Sequence, residues 1–311
     1  MGGLKTVLKN KDKTLTLKTP IIGASGTYGY CDEFSDFIDM NYFGAIATKG
    51  ITLEKRLGND GDRIFEVKSG MINRIGLENV GIEAFINEKL PILKEKNIDF
   101  ILNVAGSTVE DYEKIATVAN ENSIRAIEVN VSCPNVQSGC LEFGLNPDSL
   151  YELVKRVRSV YNGFLIVKLS ANTSDIKPLA VAVQKAGANS ISAINTLRGL
   201  GIKVQYDGKK FIKTFVQGGL SGACIKPVAL YSIKQIKSAV DIPVIGMGGI
   251  ENLDDILEFL SVGCDAIQIG TANFINPSAC SKLAIELNQY ILENGFKDFE
   301  DLKEKIRGQN D

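Results

Sequence analysis

The sequence, 311 residues long, contains no histidine and no tryptophan. Without His there is no His-liganded zinc site and no Ser-His-Asp triad. Any general base must be Cys, Asp, Glu, Lys or Tyr. Net charge is also scarce: 35 Lys plus Arg against 37 Asp plus Glu leave −2. That gives no broad attraction to nucleic acid or anionic lipid. No uncharged apolar run approaches the roughly 20 residues of a membrane span, and no secretory signal is read, so a cytoplasmic location is expected. The six cysteines, at 31, 133, 140, 224, 264 and 280, include no C-x-x-C pair. A zinc ribbon or ferredoxin-type cluster within the chain is therefore not signalled, no metal is expected, and scattered thiols fit a reducing compartment. No G-x-G-x-x-G occurs either; Gly246-Met247-Gly248-Gly249-Ile250-Glu251 fails at its last position.

What is present is an alternation of short apolar runs with helical patterns. Strands are expected at Ile21–Ser25, Phe43–Lys49, Phe100–Val104, Ala126–Val131, Phe164–Leu169, Ser190–Ile194, Val244–Met247 and Ala266–Ile269. Continuous apolar runs suit parallel strands buried on both faces. Helices are expected at about 31–39, 81–96, 109–121, 147–161, 174–186, 226–239, 252–262 and 277–294. N1 prolines follow Asn146, Lys226 and Asn276, and Gly187 and Gly263 stand just past helix ends. Eight βα units specify a (β/α)8 barrel more naturally than a doubly wound sheet, so residues 1–311 read as a single barrel domain. A short hairpin around Asn10-Lys11-Asp12-Lys13 precedes it. Long insertions follow the second strand, at about 50–80, and the sixth, at about 195–225; such segments usually cover an active site.

Chemistry in such a barrel sits at the C-terminal strand ends. Asn103, Asn130 and Asn195 bring three amides to one rim, able to read a ring with alternating N–H and C=O groups. Gly248-Gly249 and Gly270-Thr271 end strands seven and eight, where backbone N–H groups commonly bind phosphate. Lys49 and Lys168 each end an apolar strand. Lys168 suits either a positive charge beside an anionic phosphate or reduced ring, or a Schiff base. Cys133, fixed by Pro134 in the loop after strand four, is a reasonable base or nucleophile if its site favours thiolate. Cys31, Cys264 and Cys280 read as small buried hydrophobes, and no role is assigned to Cys140 or Cys224.

The run Asn130-Val131-Ser132-Cys133-Pro134-Asn135 resembles the catalytic segment of class 1 dihydroorotate dehydrogenases. So do Gly70-Met71-Ile72-Asn73-Arg74-Ile75-Gly76-Leu77, Asn103-Val104-Ala105-Gly106, Gly218-Gly219-Leu220-Ser221-Gly222 and Gly246-Met247-Gly248-Gly249-Ile250, in family order from about residue 20 to 275. The resemblance implies an FMN-containing barrel, one FMN per chain, that oxidises dihydroorotate to orotate in pyrimidine synthesis. Cys133 is then the base that takes the C5 proton while hydride passes from C6 to flavin N5. Lys49, Asn73, Arg74, Ile75, Gly76, Leu77, Asn130, Asn195 and Thr196 would hold substrate. Ser25, Lys49, Gly50, Asn103, Asn130, Lys168, Ile194, Gly222, Gly248, Gly249, Gly270 and Thr271 would hold FMN, with Lys168 stabilising negative charge near flavin N1.

Quinone-linked, membrane-associated relatives look different, with Ser as base and an N-terminal extension. Asn195-Thr196-Leu197 and Gly219-Leu220-Ser221-Gly222 look like the type 1B, NAD-linked branch. That branch implies a homodimer core joined to an electron-transfer subunit carrying FAD and a [2Fe–2S] cluster, a heterotetramer. Two features depart from the branch: Gly50-Ile51 stands where small or hydroxylated residues are more frequent, and Arg198 where an apolar one is more usual. The rival readings are the type 1A fumarate-linked enzyme, a related FMN dihydropyrimidine-type oxidoreductase, a Schiff-base aldolase on Lys168, and a non-catalytic phosphate-binding barrel.

Overall fold

In this computed structural model the chain is described over residues 2–11, 13–34, 38–131 and 143–308. It opens with an antiparallel hairpin, β1 (Thr6–Asn10) and β2 (Lys13–Leu17), paired Thr6 to Leu17 through Asn10 to Lys13. Alternation puts Leu8, Leu15 and Leu17 on one face, and these are buried. They cluster with Ala45, Ala126, Phe164 and Ala266, the first residues of four barrel strands, so the hairpin plugs the N-terminal end of the barrel.

The barrel strands are β3 (Ile21–Gly23), β4 (Ala45–Ala47), β7 (Phe100–Val104), β8 (Ala126–Asn130), β9 (Phe164–Leu169), β10 (Ser190–Ala193), β13 (Val244–Met247) and β14 (Ala266–Ile269). They close in that order, all neighbours parallel. This is a (β/α)8 barrel, as the eight apolar runs predict. Both insertions contribute strands. The first gives β5 (Ile64–Val67) and β6 (Gly70–Asn73), the second β11 (Leu197–Tyr206) and β12 (Phe211–Ser221). Together they form a four-stranded antiparallel sheet in the order β11-β12-β6-β5. Its long ribbon carries Leu200, Ile202, Val204, Tyr206, Phe211 and Phe215 with their side chains exposed.

Helices follow at Val109–Glu121, Pro147–Val160, Lys177–Lys185, Lys226–Lys237, Leu253–Ser261 and Ala279–Glu293, each close to its expected span. The expected helix at 31–39 is not found among the described residues. Cys31 has φ +77°, and residues 31–34 make a turn whose Tyr30 amide donates to Glu33. The helix expected at 81–96 is split by a π-helical stretch, Phe85–Lys89, just before Pro91. Pro lacks an N–H and its ring clashes with the carbonyl four residues back, which widens the turn. Two helices, Ala272–Ile275 and Phe299–Gly308, were not expected.

Candidate active site

The barrel's interior changes character along its axis. Side chains alternate across a strand, so Ala126, Glu128 and Asn130 share one face of β8, as Phe164, Ile166 and Lys168 do on β9. The lower layers are apolar, where Ile22, Ile101, Ile166 and Ile245 pack against the hairpin leucines. The upper layer is polar and opens into a cavity of about 350 Å³, within the range of small-molecule sites.

Among its walls stand Ser25, Lys49, Gly50, Asn73, Ile75, Gly76, Leu77, Asn103, Asn130, Lys168, Ile194, Asn195, Thr196, Gly222, Gly248, Gly249, Gly270 and Thr271. The structure thus brings together the site residues named from sequence, with two exceptions. Arg74 does not line the cavity; its amide donates to the Arg63 carbonyl at 2.8 Å and its carbonyl accepts from Asn59 Nδ2 at 2.7 Å, so its backbone braces the insertion. Cys133 lies outside the described residues, as do Pro134 and Cys140. The other cysteines are poor thiolates. Burial pushes Cys31 and Cys264 well up, Cys280 to about 12, and Cys224 upward.

Each wall is held in place. Asn195 Nδ2 donates to Asn130 Oδ1 at 3.1 Å, and the Asn130 carbonyl accepts from the buried Tyr112 hydroxyl at 2.9 Å. Asn73 Nδ2 donates to the Gly219 carbonyl at 3.2 Å, tying β6 to β12. Asn172 receives the Arg198 amide at 2.9 Å and donates to the Thr196 carbonyl at 2.9 Å, so the start of the ribbon is pinned. Arg198 is exposed and Ile51 is fully buried in the core, so of the positions that depart from the branch pattern only Gly50 lines the cavity. At the mouth Lys49 pairs with Glu78 at 3.7 Å, and Glu78 also pairs with Arg63.

At the far end Gly222, Gly248 and Gly249 have φ of +103°, +125° and +78°. These glycines, which adopt such angles without strain, abut the N-terminus of helix Lys226–Lys237, with Thr271 Oγ1 donating to Ser221 Oγ at 2.8 Å beside them. Backbone N–H groups and a helix N-terminus make an anion cradle. The floor holds a buried carboxylate. Glu128 accepts from Asn103 Nδ2 at 2.6 Å, Ser192 Oγ at 2.7 Å and Gln268 Nε2 at 2.7 Å, and pairs with Lys168 Nζ at 3.8 Å. Lys168 is therefore not the lone amine in an apolar pocket that Schiff-base chemistry favours. Asn103 Oδ1 is buried with no hydrogen-bond partner among the described residues. A buried acceptor left so costs about 1–3 kcal/mol, which a ligand N–H would recover.

Sequence reasoning missed Ser221, Glu78 and Glu128. Glu128 had a signal: it stands two residues before Asn130, hence on the same strand face, inside a run otherwise apolar.

A family model described as Dihydroorotate dehydrogenase matches residues 7–291. The chain belongs to the dihydroorotate dehydrogenase family. It is 47% identical to a Bacteroides thetaiotaomicron protein over 93% of this chain and 95% of that relative. A Caldicellulosiruptor saccharolyticus relative is 47% identical over 92% of this chain and 94% of its own length. A Geotalea uraniireducens relative is 45% identical over 93% and 94%. All three are named dihydroorotate dehydrogenase B (NAD(+)), catalytic subunit.

Proposed function

We propose that this chain is the catalytic subunit of an NAD-linked dihydroorotate dehydrogenase, oxidising (S)-dihydroorotate to orotate in de novo pyrimidine biosynthesis with one FMN bound per chain. The observation that carries the reading is a convergence on one cavity. Amides (Asn73, Asn130, Asn195), two cations (Lys49, Lys168), an unpartnered buried acceptor on Asn103 and a glycine cradle all line it. These fit a flat ring with N–H and C=O edges carrying a phosphate tail.

Bound there, FMN would supply the acceptor for the hydride leaving C6 of the substrate. The chain's own residues do the rest. Cys133 would take the C5 proton, a positioned base contributing roughly 10²–10⁴-fold. Lys49, Asn73, Ile75, Gly76, Leu77, Asn130, Asn195 and Thr196 would fix the substrate, Arg74 acting through its backbone only. Ser25, Gly50, Asn103, Ile194, Gly222, Gly248, Gly249, Gly270 and Thr271 would hold the cofactor, with Lys168 offsetting negative charge near flavin N1. The proposed assembly is a homodimer core with a partner subunit bearing FAD and a [2Fe–2S] cluster that passes electrons to NAD. The relatives' wording "catalytic subunit" supports a partner. Among the described residues no helix is long and apolar enough to cross a membrane.

The test is an absorbance spectrum. Purified protein is expected to be yellow, to release FMN on denaturation, and to bleach anaerobically with dihydroorotate. Cys133→Ser should keep its FMN and bleach roughly 10²–10⁴-fold more slowly. Colourless protein, or colour that dihydroorotate leaves untouched, refutes the reading. Rapid reoxidation by fumarate without a partner would move the chain to the type 1A branch.

A further inference from the structure

We propose that Glu128 is a positioning residue that orients Asn103 and Lys168 and sets the electrostatic potential at the cavity floor. The inference rests on the reading of that cavity as a flavin site. Glu128 is fully buried in the layer directly beneath the cavity. Barrel interiors are ordinarily filled by Val, Ile and Leu, as this one is lower down at Ile101, Ile166 and Ile245. An ionised carboxylate in that position costs several kcal/mol unless its donors are complete. Here they come from four strands: Asn103 on β7, Lys168 on β9, Ser192 on β10 and Gln268 on β14.

A carboxylate only accepts, and that dictates how its neighbours turn. The NH₂ group of Asn103 must face Glu128, which it does at 2.6 Å. Its carbonyl oxygen is then directed away, to the side of Gly50, where a Cβ would lie 3.0 Å from it. Gly50 and Asn103 both line the cavity, so the acceptor is offered to a ligand N–H. Lys168 reaches the same carboxylate, so the cation stands over a negative group rather than alone. Glu128 touches neither substrate nor cavity surface; it acts through these two.

Two consequences follow for a bound flavin. Removing the negative charge leaves Lys168 less compensated and makes the ring a better acceptor of electrons and nucleophiles. Removing a donor to Glu128 does the reverse, because the positive end of that dipole no longer faces the carboxylate. The readout is reversible sulfite addition to the bound flavin, followed by bleaching, with the two-electron midpoint potential measured alongside. In Glu128→Gln, sulfite should bind about tenfold tighter and the potential should rise by about 30 mV, the tenfold equivalent for two electrons. In Ser192→Ala, which keeps the carboxylate, sulfite should bind more weakly than in the wild type. A merely structural role would loosen both variants in the same direction. Unchanged or equal-sign shifts in yellow, FMN-loaded variants overturn the proposal. If Glu128→Gln fails to fold or to hold FMN, Ser192→Ala decides: weaker sulfite binding supports the role, unchanged or tighter binding overturns it. A colourless wild-type protein would instead sink the flavin reading itself, and this inference with it.

Discussion

Replacing Gly249 by Ala tests the phosphate end of the cavity most sharply. Its φ is +78°, where an L side chain costs about 1–2 kcal/mol. A Cβ there would lie 2.9 Å from the Gly222 carbonyl oxygen and 3.0 Å from the Lys226 amide nitrogen. Both are backbone atoms and cannot rotate aside, so the turn itself must move. Where the free turn relaxes out of this conformation, the ligand must restore it, and cradle affinity should fall roughly 5- to 30-fold at 1.4 kcal/mol per decade. The assay titrates deflavinated protein with FMN and with riboflavin, which has the same ring and no phosphate. FMN affinity should drop by that factor or more, and riboflavin affinity by less than about threefold. An equal loss for both ligands, or unchanged FMN binding, refutes the assignment of phosphate to this turn. Gly270→Ala is the steric control. A Cβ there meets only Ala24 Cβ, at 3.6 Å, an ordinary contact. Its thermal unfolding should match the wild type while that of Gly249→Ala is lowered.

Two further outcomes concern the scaffold. Leu8→Ala empties a fully buried position in the hairpin plug, at the end of the barrel away from the cavity; denaturant unfolding should show a loss of about 2–5 kcal/mol with FMN affinity unchanged. A parallel fall in FMN affinity would mean that the plug shapes the site. Asp301 has its carboxyl held below the ordinary range by the Lys297 amide, at 2.9 Å, and then by Lys305, at 3.0 Å. A depressed folded pKa gives a contribution present above the unfolded value of about 3.9 and lost as pH falls through the folded one. Hydrogen-exchange protection factors in Phe299–Gly308, corrected for the intrinsic rate at each pH, should therefore fall below about pH 4, and Asp301→Asn should abolish that step; an identical acid profile in the variant would count against it.

The barrel was legible because parallel strands buried on both faces leave continuous apolar runs, and all eight lie where those runs stand. The rim was legible because strand ends in a barrel share one mouth, so Asn103, Asn130, Lys168 and Asn195 meet although the sequence scatters them. The ribbon was not, although Asp207-Gly208 is a hairpin signal and residues 197–206 and 211–221 pair around it. Its first strand also alternates, with Leu200, Ile202, Val204 and Tyr206 set between Gly201, Lys203 and Gln205, so a period-2 signal was present and went unread. Among the described residues no helix starts at 31, where Cys31 takes a left-handed conformation that apolar spacing does not reveal. Glu128 escaped because a single Glu in an apolar run reads as an interruption, whereas its four partners come from strands remote in sequence.

That last residue bears on how stability and function divide inside the barrel. Replacing a buried ionic group with well-packed apolar side chains is often neutral or stabilising. The same barrel does that one layer down, where Ile101, Ile166 and Ile245 pack. A scaffold needed only for its shape would gain by continuing those layers upward. It keeps instead a carboxylate whose donors leave two amide oxygens, Asn103 Oδ1 and Gln268 Oε1, buried without partners among the described residues. Such groups are costs in the free protein. The Asn103 acceptor faces a wall of the cavity, so its cost is recovered when a ring N–H arrives. On the proposed function the cost sits where the ligand would relieve it, and the free chain should be least stable at the cavity end of the barrel.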